Sequence, residues 1–202
     1  MALDRKALLR IVSKTIFELI IVFVGVLLAF IASDLRNKGI QQQRFAKTLN
    51  IMEQELSDFV TYSPVPIEAM NDSLQQYYDA ERAGILLIPP YYREPRASSA
   101  PTAAWEAMVS SGSYEILDPD LFYEMTIYYN RVISFNAMFR RYSARCEEWL
   151  LTMLQDDIEV FYREGKLKGE YQLLIRMLEE ISTELTLLRD DAEKLMQKLK
   201  AD

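Results

Sequence analysis

MTIYYNRVISFNAMFRRYSARCEEWLLTM, Met125–Met153, places apolar side chains at Met125, Tyr128, Val132, Phe135, Phe139, Tyr142, Cys146, Trp149 and Met153. The steps alternate between three and four residues without a fault. That is the spacing of a heptad seam along one face of an α-helix. The next seam position, Asp156, is polar, and Val160 resumes the pattern. Asp118-Pro119 marks the start, an N-cap followed by proline at the first helical position, where its missing N–H is no loss. The spacing predicts a helix over 119–164, about 70 Å long at ~1.5 Å per residue. Gly165 and Gly169 then bracket a turn, GKLKG. Beyond it Leu174, Leu178, Ile181, Leu185, Leu188, Ala192, Leu195 and Leu199 repeat the same steps, which predicts a second long helix over 170–200. Two long helices joined so briefly run antiparallel.

Toward the N-terminus a third seam appears at Phe45, Leu49, Met52, Leu56 and Phe59. Pro64 and Pro66 end it, and Pro66 can open a further helix through Ile67, Met70, Leu74, Tyr77 and Tyr78. PTAAWEAMVSSG, Pro101–Gly112, reads as a short helix with proline near its first turn and glycine ending it. No alternating pattern of useful length predicts a strand. The expected fold is all-α: an N-terminal transmembrane helix continuing into an elongated antiparallel helical bundle with heptad seams. The bundle occupies 34–202.

The anchor is read from FELIIVFVGVLLAFIASD, Phe17–Asp34, with fourteen apolar residues unbroken from Leu19 to Ala32. A span needs about 20 apolar residues for a hydrocarbon layer of ~30 Å. Ile16–Ala32, extended by the Ile11 and Val12 stripe, is short but sufficient when Arg10 and Lys14 reach back to the headgroups. A cleaved signal peptide is the rival, but bulky Phe30 and Ile31 stand where a peptidase needs small residues. The expected division is a basic cytoplasmic segment over 1–15 and a transmembrane helix over 16–33. Arg5, Lys6, Arg10 and Lys14 precede the span and Arg36, Lys38, Arg44 and Lys47 follow it, so the positive-inside rule decides orientation narrowly. The reading adopted is a bacterial inner membrane protein, N-terminus cytoplasmic and C-terminal domain periplasmic. Glu18, one turn inside the boundary, reads as an i,i+4 partner of Lys14, as a polar contact to another helix, or as an ion site. Gly25 and Ala29 form a small-xxx-small pair that lets a partner helix approach.

One long stretch is aperiodic: AGILLIPPYYREPRASSAPT, residues 83–102. Pro89, Pro90 and Pro95 forbid a helix across it. Ile85, Leu86, Leu87, Ile88, Tyr91 and Tyr92 are unusually apolar for a loop. They read either as a lid over the end of the bundle or as a docking surface for a protein or the bilayer interface.

Composition narrows the chemistry. Of 202 residues, 23 are Lys or Arg and 30 are Asp or Glu, a net charge of −7. Residues 1–33 hold four of the bases and two of the acids, which leaves the remainder at −9. Such a domain repels phosphate backbones and argues against nucleic-acid binding. The chain has no histidine, hence neither the commonest general base nor the commonest transition-metal ligand. Its one cysteine, Cys146, cannot form an intramolecular disulfide and occupies a seam position. Ser110-Ser111-Gly112 has no histidine to activate it and suits a helix end. The acid pairs Glu53/Glu55, Glu147/Glu148, Asp156/Asp157 and Glu179/Glu180 lack Glu-x-x-His motifs and suit solvated faces. No glycine loop cradles phosphate. The sequence therefore points away from an enzyme, with no catalytic residue, metal site or cofactor expected.

Two stretches carry a resemblance. Glu18–Phe30 opens with an acid, then an apolar run holding Val22, Gly25 and Val26, with Ala29 four residues after Gly25. Thr102–Asn130 holds Thr102, Ser110-Ser111-Gly112 and the paired Tyr128 and Tyr129. Together they resemble an uncharacterised family of single-pass bacterial membrane proteins with a helical outer domain. Ser33-Asp34-Leu35 departs from that family's tryptophan-bearing sequence after the span. The resemblance implies topology and a helical outer domain, not chemistry. The expectation is a non-catalytic anchored interaction protein, an accessory or scaffold subunit of a larger membrane complex, respiratory or photosynthetic complexes being plausible hosts. Its partners would be the lipid bilayer and other membrane subunits, with homo-oligomerisation left open. The alternatives are a self-associating single-pass sensor or stress protein, and a channel or transporter component using Glu18.

Overall fold

A computed structural model describes residues 5–92, 100–149 and 158–200; the side chains of 5–17 and of Ile20 lie outside the described set. Within these bounds the chain is all-α apart from one small hairpin. It divides into two compact units, Met1–Ala46 and Lys47–Asp202.

Helix α1, Arg5–Tyr62, runs through both stretches for 58 residues. Gly39 is carried inside it at a cost of about 1 kcal/mol relative to alanine. In the first unit every described side chain from Glu18 to Arg44 is exposed, Phe23 at 66% and Phe30 at 72%. No helix among the described residues is long and apolar enough to cross a membrane. The expected span over 16–33 includes residues 16, 17 and 20, whose side chains are not described.

The second unit holds the core. Helix α2, Pro64–Arg82, starts at Pro64, two residues before the expected Pro66. Ser63 stays helical at the junction, and its carbonyl still accepts the Ile67 N–H at 3.3 Å. Met52 and Leu56 of the Phe45–Phe59 seam are buried, as are Ile67, Met70, Leu74 and Tyr77 of α2. Helix α3, Ala103–Ser110, ends where the sequence places its stop, with Gly112 at φ 70°. Helix α4, Pro119–Trp149, is capped by Asp118, whose Oδ1 accepts the N–H groups of Asp120 and Leu121 at 2.9 and 3.2 Å. Its seam is buried from Met125 through Cys146.

Helix α5, Gly169–Leu199, packs against both α2 and α4. Its seam residues Leu174 to Leu195 are buried, and Tyr171, Ile175 and Ser182 join them. The wider stripe follows from having two neighbours rather than one. Ion pairs set α4 and α5 antiparallel: Arg131 reaches Glu184 at 2.9 Å and also Asp191, and Lys198 reaches Glu124 at 2.6 Å. The α1–α2 side also runs antiparallel to α5. Glu53 lies 3.5 Å from Lys200, Ser182 donates to Asn71 at 2.6 Å, and Tyr78 donates to Glu179 at 2.7 Å.

The expected helix over 119–164 is corrected. The described part of α4 ends at Trp149, and Met153 and Asp156 lie outside the described residues. From Ile158 the chain forms a 3-10 turn through Phe161, then strands β1, Tyr162–Arg163, and β2, Lys166–Leu167. Tyr162 pairs with Leu167 and Arg163 with Lys166. Glu164 and Gly165, at φ 54° and 75°, form a two-residue loop with both residues left-handed. That backbone matches the twist of a tight antiparallel hairpin. Phe161, buried and edge-on to Tyr171 at 5.0 Å, fastens the turn to α5. Local turn chemistry and this tertiary contact win over the continued seam at Val160.

Candidate docking surface

The expected docking loop leaves α2 through a helix stop that needs glycine. Gly84 sits at φ 71°, its N–H donating to Glu81 at 3.0 Å, while Ile85 N–H donates to Ala80 at 2.9 Å. These two bonds form a Schellman motif, which satisfies the last carbonyls of α2 and turns the chain away. Residues 85–92 then run without regular structure.

Such a segment must place its backbone polar groups somewhere. Three side chains from other elements receive them. Tyr162 of β1 donates its hydroxyl to Leu87 O at 2.6 Å and accepts Leu87 N–H at 3.3 Å. Tyr142 of α4 accepts Tyr92 N–H at 2.9 Å. Asn136 of α4 pairs with both backbone groups of Ala100 at 3.0 Å each. Pro89 is buried between the first two clamps. Residues 93–99 lie outside the described set.

With the main chain held, the apolar side chains point outward. Ile85 is 58% exposed, Ile88 55%, Tyr91 43%, Leu86 39% and Leu87 38%. Tyr92 is half-buried. A lid would turn these side chains under. Beside them opens a groove of about 600 Å³, lined by Tyr77, Tyr78, Leu86, Tyr162, Lys166 and Arg176. Burial, and then the bond to Glu179, pushes the Tyr78 hydroxyl up to about 12. Burial pushes the Tyr77 hydroxyl well above its ordinary range. Both stay neutral and can line an apolar contact. Loop and groove share the end of this unit where α5 begins. Lys200 and Glu53 mark the other end.

The other candidates are placed as follows. Glu18, Gly25 and Ala29 are exposed on α1, at steps of seven and four that put them on one helix face. Lys14, the expected partner of Glu18, is among the undescribed side chains. A Cβ built on Gly25 meets nothing within 4 Å, so this face is open. Ser110 and Ser111 donate to Ala107 and Met108 carbonyls at 3.1 Å each, as residues ending a helix do. Cys146 is buried, and burial raises its thiol above the ordinary range, which suppresses thiolate chemistry. Among the described residues no group of His, Cys, Asp or Glu is placed to hold a metal ion.

Three functional positions escaped the sequence reading. Tyr162 was assigned to a helix; its signal is Glu164-Gly165 between two short β-forming pairs. Arg131 lies on a helix like many other charged residues, and no local signal marks its partners in α5. Trp105, within the family-like stretch, stacks on Tyr129 at 5.0 Å with planes 4° apart. No protein family, curated protein or solved structure has detectable similarity to the chain.

Proposed function

We propose that the chain is a membrane-anchored, non-catalytic interaction protein, an accessory or scaffold subunit of a larger bacterial membrane complex. Its partner protein docks on the outward side chains of residues 85–91. The carrying observation is the contrast within that loop. Its backbone is clamped by Tyr162, Tyr142 and Asn136, yet Ile85, Ile88 and Tyr91 are displayed to solvent. A surface fixed before binding loses less conformational freedom on binding.

The anchor reading rests on the sequence of 16–33 and on the exposure of every described side chain of α1 from Leu19 to Ile31. A helix apolar on all sides suits lipid better than a one-sided protein contact. Antiparallel packing of the α1–α2 side and of α4 on α5 supports a three-stranded bundle as the extramembrane body. The N-terminus would lie in the cytoplasm and the bundle in the periplasm. The likeness to the single-pass family belongs to the same proposal.

The test is a gentle-detergent purification from native membranes of the full chain and of a variant carrying Leu86→Ser, Leu87→Ser and Tyr91→Ser. The expected result is loss of a stoichiometric co-purifying partner, with the circular-dichroism spectrum unchanged. An identical partner set in both preparations overturns the docking assignment. The open face at Gly25 favours one further reading, helix pairing within the bilayer. Cysteine cross-linking at that position, with Cys146→Ser, separates a second copy from a different subunit.

A further inference from the structure

The groove beside residues 85–91 joins apolar walls to unmatched charge. Leu86, Ile175 and the Tyr77 ring line it. So do Lys166 of β2 and Arg176, two turns into α5. Both cations are exposed, and neither takes an ion pair or hydrogen bond among the described residues. Glu179, one turn along α5 from Arg176, accepts the Tyr78 hydroxyl at 2.7 Å instead. Glu81 is the one acid among the lining residues.

That balance is unusual in a body whose residues 34–202 carry a net −9. The groove between α4 and α5 sets Glu179, Glu180 and Glu184 against Arg131, Arg141 and Arg176. A third groove sets Glu124 and Asp191 against Lys198 and Lys194, in ion pairs of 2.6 and 3.0 Å. Of these three, the groove at the docking loop alone holds more cations than acids. A partner that covered Lys166 and Arg176 with apolar or basic groups would strip their water and offer nothing in return.

We propose that the partner's docking segment is acidic as well as apolar. Its apolar side chains pack on Ile85, Ile88 and Tyr91, and its carboxylates meet Lys166 and Arg176. This assignment rests on the docking reading above and adds the chemistry of the occupant. An anionic bilayer fits less well. A broad negative surface would face the acidic body as a whole, whereas one segment entering the groove faces only its lining.

The experiment selects peptides from a random phage-displayed library on the full chain in detergent. A selected peptide is then labelled and its binding followed by fluorescence anisotropy. Three proteins are compared: the parent, Lys166→Glu with Arg176→Glu, and the Leu86→Ser, Leu87→Ser, Tyr91→Ser variant. The expected result is enrichment of Asp and Glu beside Leu, Ile and Phe. The charge-reversed protein should bind about tenfold more weakly, and salt should weaken binding to the parent. Both substituted side chains are exposed, so the circular-dichroism spectrum should not change. If it does, Lys166→Gln with Arg176→Gln takes that place. Apolar peptides without acids, bound equally after charge reversal but lost in the serine variant, overturn the acidic occupant and leave the docking loop standing. No enrichment, or equal binding to all three proteins, overturns the docking loop as well. Capture of phosphatidylglycerol vesicles by the chain in phosphatidylcholine nanodiscs, with no acidic peptide enriched, gives the surface to lipid and overturns the proposal.

Discussion

Residues 19–31 of α1 and the helix α5 are both regular α-helix, yet they solve opposite problems. Along α5 the apolar residues keep to a stripe, so Leu178, Ile181 and Leu188 are fully buried while the charged Arg176 and Glu180 face water. Along 19–31 there is no stripe, and Val22, Leu28 and Phe30 are all at least 60% exposed. Burial in α5 is supplied by neighbouring helices of the same chain. In the first unit no other element of the described chain is present to supply it. Helical periodicity therefore states where a helix wants neighbours, and a run that is apolar on every side singles out no face for them.

The strongest way to break this comparison is to make the same change in both places. Leu178→Ala should destabilise the second unit by about 2–5 kcal/mol, because it deletes a fully buried side chain and leaves a cavity. Leu28→Ala should alter the same unfolding midpoint by no more than about 0.5 kcal/mol, since its side chain touches no core. Equal costs in denaturant titrations would break the comparison.

Alkaline pH offers a second separation. Burial raises the hydroxyls of Tyr77, Tyr128, Tyr129 and Tyr142, and raises Tyr78 to about 12, from an ordinary 10.0. A phenol raised in the folded state favours the neutral form. Its stabilisation is complete below pH 10 and is lost as pH climbs through the raised values. Residues 1–46 contain no tyrosine. Base should unfold the second unit, with tyrosinate absorbance and loss of its helical signal rising together, while the helix of the first unit persists. Tyrosinate forming ahead of unfolding would contradict the burial described.

Two smaller effects sharpen the account of the second unit. Arg131→Ala removes the half-buried contacts to Glu184 and Asp191 that set α4 on α5. It should lower stability by about 1 kcal/mol, and by less at high salt. Gly165→Ala should cost a similar or smaller amount, about 1 kcal/mol, because φ is 75° there although the added methyl meets nothing within 4 Å. Hydrogen exchange at Lys166 and Leu167 locates that loss. A substitution without effect would mean that the hairpin does not hold its two-residue loop.

Legibility followed the range of the interactions. Seams at Met125–Cys146 and Leu174–Leu195, the Asp118 cap and the Gly112 stop are local. Each rests on residues within a turn or two, and each appears where expected. The hairpin at 162–167 was overlooked because a seam residue, Val160, and a turn signal, Glu164-Gly165, compete over six positions. The docking loop was visible as a composition anomaly. Its division into a clamped backbone and displayed side chains was not, because the clamps come from Tyr142 and Tyr162, fifty and seventy-five residues away.

The amino-acid sequence by itself determined that this protein is helical, where most helices begin and end, and which faces are apolar. Side-chain periodicity and capping act within a few residues, so they can be read along the chain. Only the tertiary structure decided that α5 serves two neighbours, that Tyr142 and Tyr162 hold a distant loop, and that residues 85–91 show their apolar side outward. Those outcomes depend on which distant groups meet and which polar atoms are satisfied there, and one-dimensional spacing does not encode that.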